Sequence, residues 1–263
     1  MKSDSIHGQT VLVTGASSGI GREFARLFAR DGCRLVLTAR SREALEALAD
    51  ELRASSGAEV YVVAADLSDP EAPERILAEL ARLGLALDIL VNNAGAGKVG
   101  PFPGIPWADD EAVMQLNMHA PTRLIKEAIP GMRSRGGGRI LNVASTGSYQ
   151  PGPLTAVYYA TKAYVLSLTL ALRSELAAEG IEVCAFCPGA TRTEFSARAG
   201  KRDQPGAMPA DRAARIGYGG FLRGKAVTVP GFGNKLAVGL SRVLPATVLA
   251  GMVYRIQDRV IRK

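Results

Sequence analysis

A chain of 263 residues that is 47% hydrophobic and 22% charged can bury a sizeable core, which excludes a wholly disordered chain and makes one α/β domain the expected organisation. The formal net charge of +7 is uneven, because residues 201–263 carry twelve Lys/Arg against three Asp/Glu while residues 1–200 carry twenty against twenty-two; the cationic excess belongs to the C-terminal quarter, and no nucleic-acid partner is expected. Three cysteines, two histidines and a polar start without a leader pattern argue against a metal site or export and for a cytoplasmic chain with free thiols.

Short β-branched runs alternate with longer segments of helical period, the pattern of βαβ units on a parallel sheet. Strands are predicted over residues 10–14, 34–39, 59–65, 87–92, 139–144, 181–187 and 225–229, with helices over 19–30, 42–54, 109–132 and 156–179. Most of the strands are continuously apolar, as strands covered on both faces are. Residues 1–263 are therefore expected to form one doubly wound, Rossmann-like parallel sheet of about seven strands with helices on both faces. Its ligand site should lie at the carboxyl ends of the strands. The C-x-x-C of Cys184 and Cys187 falls inside the sixth strand and reads as buried packing.

Residues 194–224, rich in Gly, Pro and Ala, are expected to form a lid over that site. In residues 234–263, Leu236, Leu240, Val243, Leu244, Leu249, Met252, Val253, Ile256 and Val260 recur at helical intervals with a break at Pro245, which predicts an amphipathic helix pair. Arg242, Arg255, Arg259, Arg262 and Lys263 accompany the stripe. Packing on the domain or against another subunit is the favoured role, with contact at a membrane surface as the alternative. Arg242 and Pro245 interrupt the run, so it is not read as a membrane span.

Two constellations carry chemistry. The first strand runs into Thr14-Gly15-Ala16-Ser17-Ser18-Gly19-Ile20-Gly21 and then a helix, the setting in which a glycine-rich turn holds a pyrophosphate. Gly15 permits the turn, Gly19 the approach of backbone to phosphate, and Gly21 the packing of helix on strand. Further on, Tyr158 and Lys162 stand four apart in a helical segment and so share a face. Bringing a tyrosine near neutrality takes about 4 kcal/mol, which a cation about 4 Å away supplies at an effective dielectric of about 20.

Thr14 to Gly21, Asn92-Asn93-Ala94-Gly95, Ser145, Tyr158 with Lys162, and Pro188-Gly189 together resemble the short-chain dehydrogenase/reductase family over about residues 8–195. The resemblance implies an oxidoreductase that passes hydride between a nicotinamide cofactor and a hydrophobic carbonyl or alcohol. Tyr158 would move the proton, Ser145 would hold the substrate oxygen, and Lys162 would lower the tyrosine pKa and bind the nicotinamide ribose. Asn117 would distort its helix and hold a water for proton relay. The implied cofactor contacts are Gly15, Ser17, Ser18, Gly19, Ile20, Gly21, Arg40, Ser41, Asp66, Leu67, Asn92, Ala94, Gly95, Tyr158, Lys162, Pro188, Gly189, Thr191 and Thr193, the last equally readable as a helix N-cap. Where NAD-binding members carry an acid this chain has Ala39, followed by Arg40, which suits a 2′-phosphate; NADP(H) is expected over NAD(H). A homodimer or homotetramer is the family's expectation. An NAD-linked alcohol dehydrogenase and a catalytically silent nucleotide sensor on the same fold are the alternatives, although the full set of Asn117, Ser145, Tyr158 and Lys162 is present.

Overall fold

The computed structural model describes residues 6–200 and 206–261. Residues 201–205 of the expected lid, the Val260 side chain, Arg262 and Lys263 lie outside the described residues. Seven parallel strands make the main sheet: β1 (Thr10–Thr14), β2 (Arg34–Thr38), β3 (Val60–Val62), β4 (Ile89–Asn92), β5 (Gly138–Val143), β6 (Ile181–Phe186) and β9 (Val227–Thr228), in the order β3-β2-β1-β4-β5-β6-β9. Two short strands, β7 (Thr191–Arg192) and β8 (Met208–Pro209), pair separately. This is the doubly wound sheet that the alternating pattern predicts. β1 is buried along its whole length, as expected of a strand covered from both sides.

One face is covered by α1 (Gly19–Arg30), α2 (Arg42–Ser56) and α8 (Ala210–Leu222), whose Phe24, Phe28, Leu45, Leu52, Tyr218 and Phe221 join the odd residues of β1 in one core. The other face is covered by α3 (Ala72–Arg82), α5 (Ala120–Ser134) and α6 (Ala156–Glu175), through Ile76, Leu80, Leu124, Met132, Leu168 and Leu172. α2 shows the local logic. Ser41 accepts a hydrogen bond from Ala44 N at 3.2 Å to start it, Gly57 ends it in the left-handed region, and Leu45, Leu48, Ala49 and Leu52 make its buried stripe.

Two expectations are corrected. The lid predicted over 194–224 divides: α7 (Glu194–Arg198) and the β8 strand lie at the edge of the site, but α8 is a core helix. Its aromatic residues lock onto α1, with Phe28 edge-on to Tyr218 at 4.9 Å and to Phe221 at 5.8 Å, and Tyr218 donating to Asp31 at 2.8 Å. The Gly and Ala content reflects close packing, because a Cβ on Gly217 would stand 3.0 Å from the Phe186 ring. The helix predicted over 109–132 is likewise broken into α4 (Trp107–Met114), a π-helical turn at Gln115–His119, and α5. Cys184 and Cys187 are buried free thiols, as the apolar strand implied.

Between the sheet and α6 runs a buried polar ladder. Asn92 Nδ2 donates to Asn142 Oδ1 at 2.9 Å, and Asn142 Nδ2 donates to Thr169 Oγ1 at 2.9 Å. Asn142→Ala leaves the Asn92 amide with no acceptor, a loss of about 1–3 kcal/mol. Urea denaturation should therefore show a lower midpoint at unchanged slope; an unshifted midpoint would show that the ladder contributes nothing net.

Candidate functional site

Because every strand of the main sheet is parallel, the segments that follow β1, β4, β5 and β6 emerge at one edge. The glycine turn after β1 is clamped to the segment after β4. Thr14 Oγ1 donates to Val91 O at 3.2 Å and accepts from the N–H groups of Asn93 and Ala94 at 2.9 and 3.0 Å. Asn93 Nδ2 returns two bonds, to Thr14 O at 2.9 Å and Gly15 O at 3.2 Å. A Cβ on Gly21 would lie 2.3 Å from both Asn93 Nδ2 and Gly15 O, so only glycine lets α1 start this close to the turn. Gly19 has φ +53°, the left-handed region, and its missing side chain is replaced by Thr193 Cγ2 at 2.9 Å.

No side chain caps the N-terminus of α1, whose N-cap is Ser18. Its first-turn N–H groups, from Gly19 and Ile20 onward, thus have no side-chain acceptor of their own, and the helix dipole adds a partial positive charge. That donor set, reached over a glycine turn with Ser17 and Ser18 alongside, fits a pyrophosphate. From α7, Arg198 Nη2 reaches across to Ser18 Oγ at 3.3 Å.

The remaining expected contacts divide by what already occupies them. Arg40 is exposed at the end of β2, and Ser41 spends its hydroxyl capping α2. Asp66 accepts from Ser68 N at 2.9 Å and Ser68 Oγ at 2.7 Å, and Leu67 is buried. Asn92 turns into the sheet toward Asn142, so it braces the cleft from behind; Asn93, its neighbour, holds the glycine turn. Sequence reasoning named the pair but assigned the contact to Asn92, because adjacent asparagines at a strand end carry no signal of which face each takes. Pro188 accepts Thr146 N at 2.9 Å, Thr191 Oγ1 donates to Gly189 O at 3.0 Å, and Thr193 accepts Phe195 N at 3.2 Å as the N-cap of α7.

Ser145, Tyr158, Lys162 and Asn117 converge at this edge. Ser145 leads from β5 into a 3-10 turn and accepts Gly147 N at 3.0 Å; Ser148 of that turn donates to Lys162 O at 2.7 Å, fixing the turn to α6. The Tyr158 ring lies 5.4 Å from the Phe195 ring and 6.0 Å from Tyr159, against Gly97, where a Cβ would come within 3.0 Å of it. Gly97 and Phe195 were not singled out in the sequence, since neither residue type carries a spacing signal. Asn117, 1% exposed, sits in the π-helical turn. Its amide accepts Ala96 N at 2.9 Å and donates to Ala96 O at 2.8 Å and Thr161 Oγ1 at 2.9 Å. The helix distortion expected at Asn117 is present, and it joins the β4 loop to α6.

Lys162 is 5% exposed, with Nζ donating to Val143 O at 2.8 Å and standing 5.9 Å above the centroid of the Tyr158 ring. A Cβ on Gly95 would crowd both Lys162 Nζ, at 3.2 Å, and Asn117 Oδ1, at 3.3 Å, so Gly95 keeps the space that these two occupy. Burial pushes the Tyr158 phenol up to about 12, against an opposing hydrogen bond with Ser145. Burial pushes Lys162 down to about 8. The ammonium is directed at the Val143 carbonyl and stands over the ring, and burial is the largest influence on the phenol.

Beside this group lies a cavity of about 310 Å³ whose wall includes Thr146, Tyr159, Met208, Asn234, Val253 and Ile256. Thr146 and Tyr159 directly follow Ser145 and Tyr158 in the chain. Among the described residues no charged side chain lines the cavity, which suits a neutral ligand.

Because burial lowers Lys162 from 10.5 to about 8, the unfolded chain holds a proton between those values that the folded chain has lost. Stability contributed by this position therefore rises with pH through that window, recovering about 3 kcal/mol. The bond to Val143 adds only a constant offset. The unfolding free energy of Lys162→Met minus that of the parent should fall steadily from pH 8 to 10.5; a flat difference would show that the lysine is not desolvated.

Residues 9–204 match the family model for short chain dehydrogenases. The oxidoreductase UcpA of Salmonella typhimurium is 37% identical over 213 residues, 80% of either chain. A short-chain dehydrogenase from Sphingobium yanoikuyae in complex with NADPH superposes with a TM-score of 0.81 at 38% identity, covering 90% of this chain and 96% of that one. A short chain dehydrogenase/reductase from Burkholderia phymatum in complex with NAD gives 0.82 at 26% identity, covering 91% and 94%. The glycine turn, the parallel sheet and these likenesses lead to one assignment: the chain belongs to the short-chain dehydrogenase/reductase family of oxidoreductases.

Proposed function

We propose that this chain is an NADP(H)-dependent carbonyl reductase acting on a neutral, hydrophobic small molecule, with Tyr158 as the proton donor. The observation that carries the reading is the half-buried Tyr158 phenol, which interacts with Ser145 one helical turn from the buried ammonium of Lys162, beside a cavity that no charged residue lines among the described residues. The cleft formed by the glycine turn, Asn93 and Ala94, Lys162, and Pro188 to Thr193 would hold the dinucleotide, with Arg40 at the end of β2 pairing the 2′-phosphate. Bound there, a nicotinamide supplies the hydride that becomes the new C–H bond.

Ser145 donates a hydrogen bond to the substrate carbonyl oxygen and holds it beside the phenol. As negative charge develops on that oxygen, the same hydroxyl stabilises it. Tyr158 then gives up its proton to the oxygen and the alcohol is complete. A phenol with its pKa near 12 is fully protonated at neutral pH and still far more acidic than the alcohol being formed, so proton transfer to the alkoxide runs downhill in the reductive direction. Lys162 holds the nicotinamide ribose hydroxyls and, with Asn117, returns a proton to Tyr158 through water. Met208, Val253 and Ile256 supply apolar wall for the rest of the substrate, and α7 excludes water from above the phenol.

Fluorescence titration should give at least tenfold tighter binding of NADPH than of NADH, with the preference lost in Arg40→Glu. Equal affinity for the two would remove the role given to Arg40. Under saturating NADPH, Tyr158→Phe should lower the turnover of an accepted ketone by about 10²–10⁴ while leaving NADPH affinity within twofold; turnover that survives would assign the proton to another group.

A further inference from the structure

The two C-terminal helices, α9 (Phe232–Ser241) and α10 (Ala246–Ile261), bury only one narrow row. Leu249, Val253 and Gln257, each four residues on from the last, are the inner row of α10, and Val238 is the buried residue of α9. Four-residue rows beside them are turned outward. Phe232 is 83% exposed, Leu236 55% and Leu240 45% along α9; Val243 between the helices is 75% exposed; and Val248 and Met252 are 48% and 49% exposed along α10. Packing on their own domain, the favoured expectation for this stripe, therefore accounts for the inner row alone. Exposed apolar rows on two successive helices mark a contact surface.

The charge around it is one-sided. Residues 232–261 hold Lys235, Arg242, Arg255 and Arg259, all exposed, and a single acid, Asp258. A second copy laid face to face would bring four cations against four. An anionic bilayer surface instead takes the apolar row into its headgroup boundary and places phosphates beside the cations. Among the described residues no helix is long and apolar enough to cross a membrane, so the pair would lie along the surface.

We propose that the outward face of α9 and α10 docks this protein peripherally on an anionic lipid bilayer. The same α10 carries Val253, Ile256 and Gln257 in the wall of the cavity next to Ser145 and Tyr158. Docking on this face sets that cavity one helix away from the lipid, where an apolar substrate would be concentrated. This second consequence rests on the reductase reading; the docking does not.

The test is co-sedimentation of the full chain with vesicles of 3:1 phosphatidylcholine and phosphatidylglycerol, or of phosphatidylcholine alone, with sedimentation velocity on the free protein. The protein should pellet with the anionic vesicles and be released by salt. Lys235→Gln/Arg255→Gln/Arg259→Gln should weaken that binding at least tenfold, and Phe232→Ser/Leu236→Ser/Met252→Ser should abolish it, with NADPH affinity unchanged in both. No pelleting, or equal pelleting with both vesicle types unaffected by the glutamine variant, overturns the proposal. So does a serine variant that splits an oligomer while vesicle binding persists, which would make the face an interface between copies. Failure of the reductase reading appears separately, as loss of nucleotide binding or turnover in the parent protein.

Discussion

Burying an ammonium costs several kcal/mol unless its protons find acceptors in a well-made site, and Lys162 is buried at the carboxyl edge of the sheet with one such acceptor, Val143 O at 2.8 Å. Much of the surrounding geometry follows from keeping that group there. Position 95 has little room for a side chain, because a Cβ would crowd both Lys162 Nζ and Asn117 Oδ1. Asn117 must be fixed from two sides, and it is, by the Ala96 backbone and by Thr161 one residue before the lysine. The widened π-helical turn at Gln115–His119 is the local cost of directing that asparagine inward from a helix that otherwise follows the usual repeat. Such irregularities persist where the surrounding packing over-determines them.

A structure that spends stability here recovers it in the layers behind. The aromatic contacts of Phe28 with Tyr218 and Phe221 fasten α8 to α1, and the asparagine ladder fastens β4 to β5 and α6. Both lie directly below the site. They hold the strand ends in register so that turns 79 residues apart in the chain meet within hydrogen-bond distance, as Thr14 and Asn93 do.

Which parts were legible in the sequence follows from how local their causes are. Strands such as β1 and β6, the glycine turn with its following helix, and the pairing of Tyr158 with Lys162 depend on residue type and short spacing, and those readings match the architecture. The membership of α8 in the core was hidden because its glycines and alanines mimic a loop, and only the facing rings of Phe28 and Phe186 show why small residues are needed. The direction of each asparagine in the Asn92-Asn93 pair depends on strands β1 and β5, far away in sequence. Spacing placed Tyr158 and Lys162 on one helix face but carried no information on what the ammonium bonds, which is the Val143 carbonyl, nor on burial, which shifts Tyr158 up and Lys162 down.

The segment around α7 shows the same dependence on contacts distant in sequence. Three consecutive features of one short segment touch three parts of the site: Thr193 fills the gap at Gly19, Phe195 leans on the Tyr158 ring, and Arg198 reaches Ser18 at the start of α1. None of the residues of α7 is buried, so little apolar contact holds the segment in place, which puts it among the regions that open at low free energy. Lifting α7 would uncover the phenol and the N-terminus of α1 in the same motion. One short segment thereby touches both the start of α1 and the ring of the tyrosine.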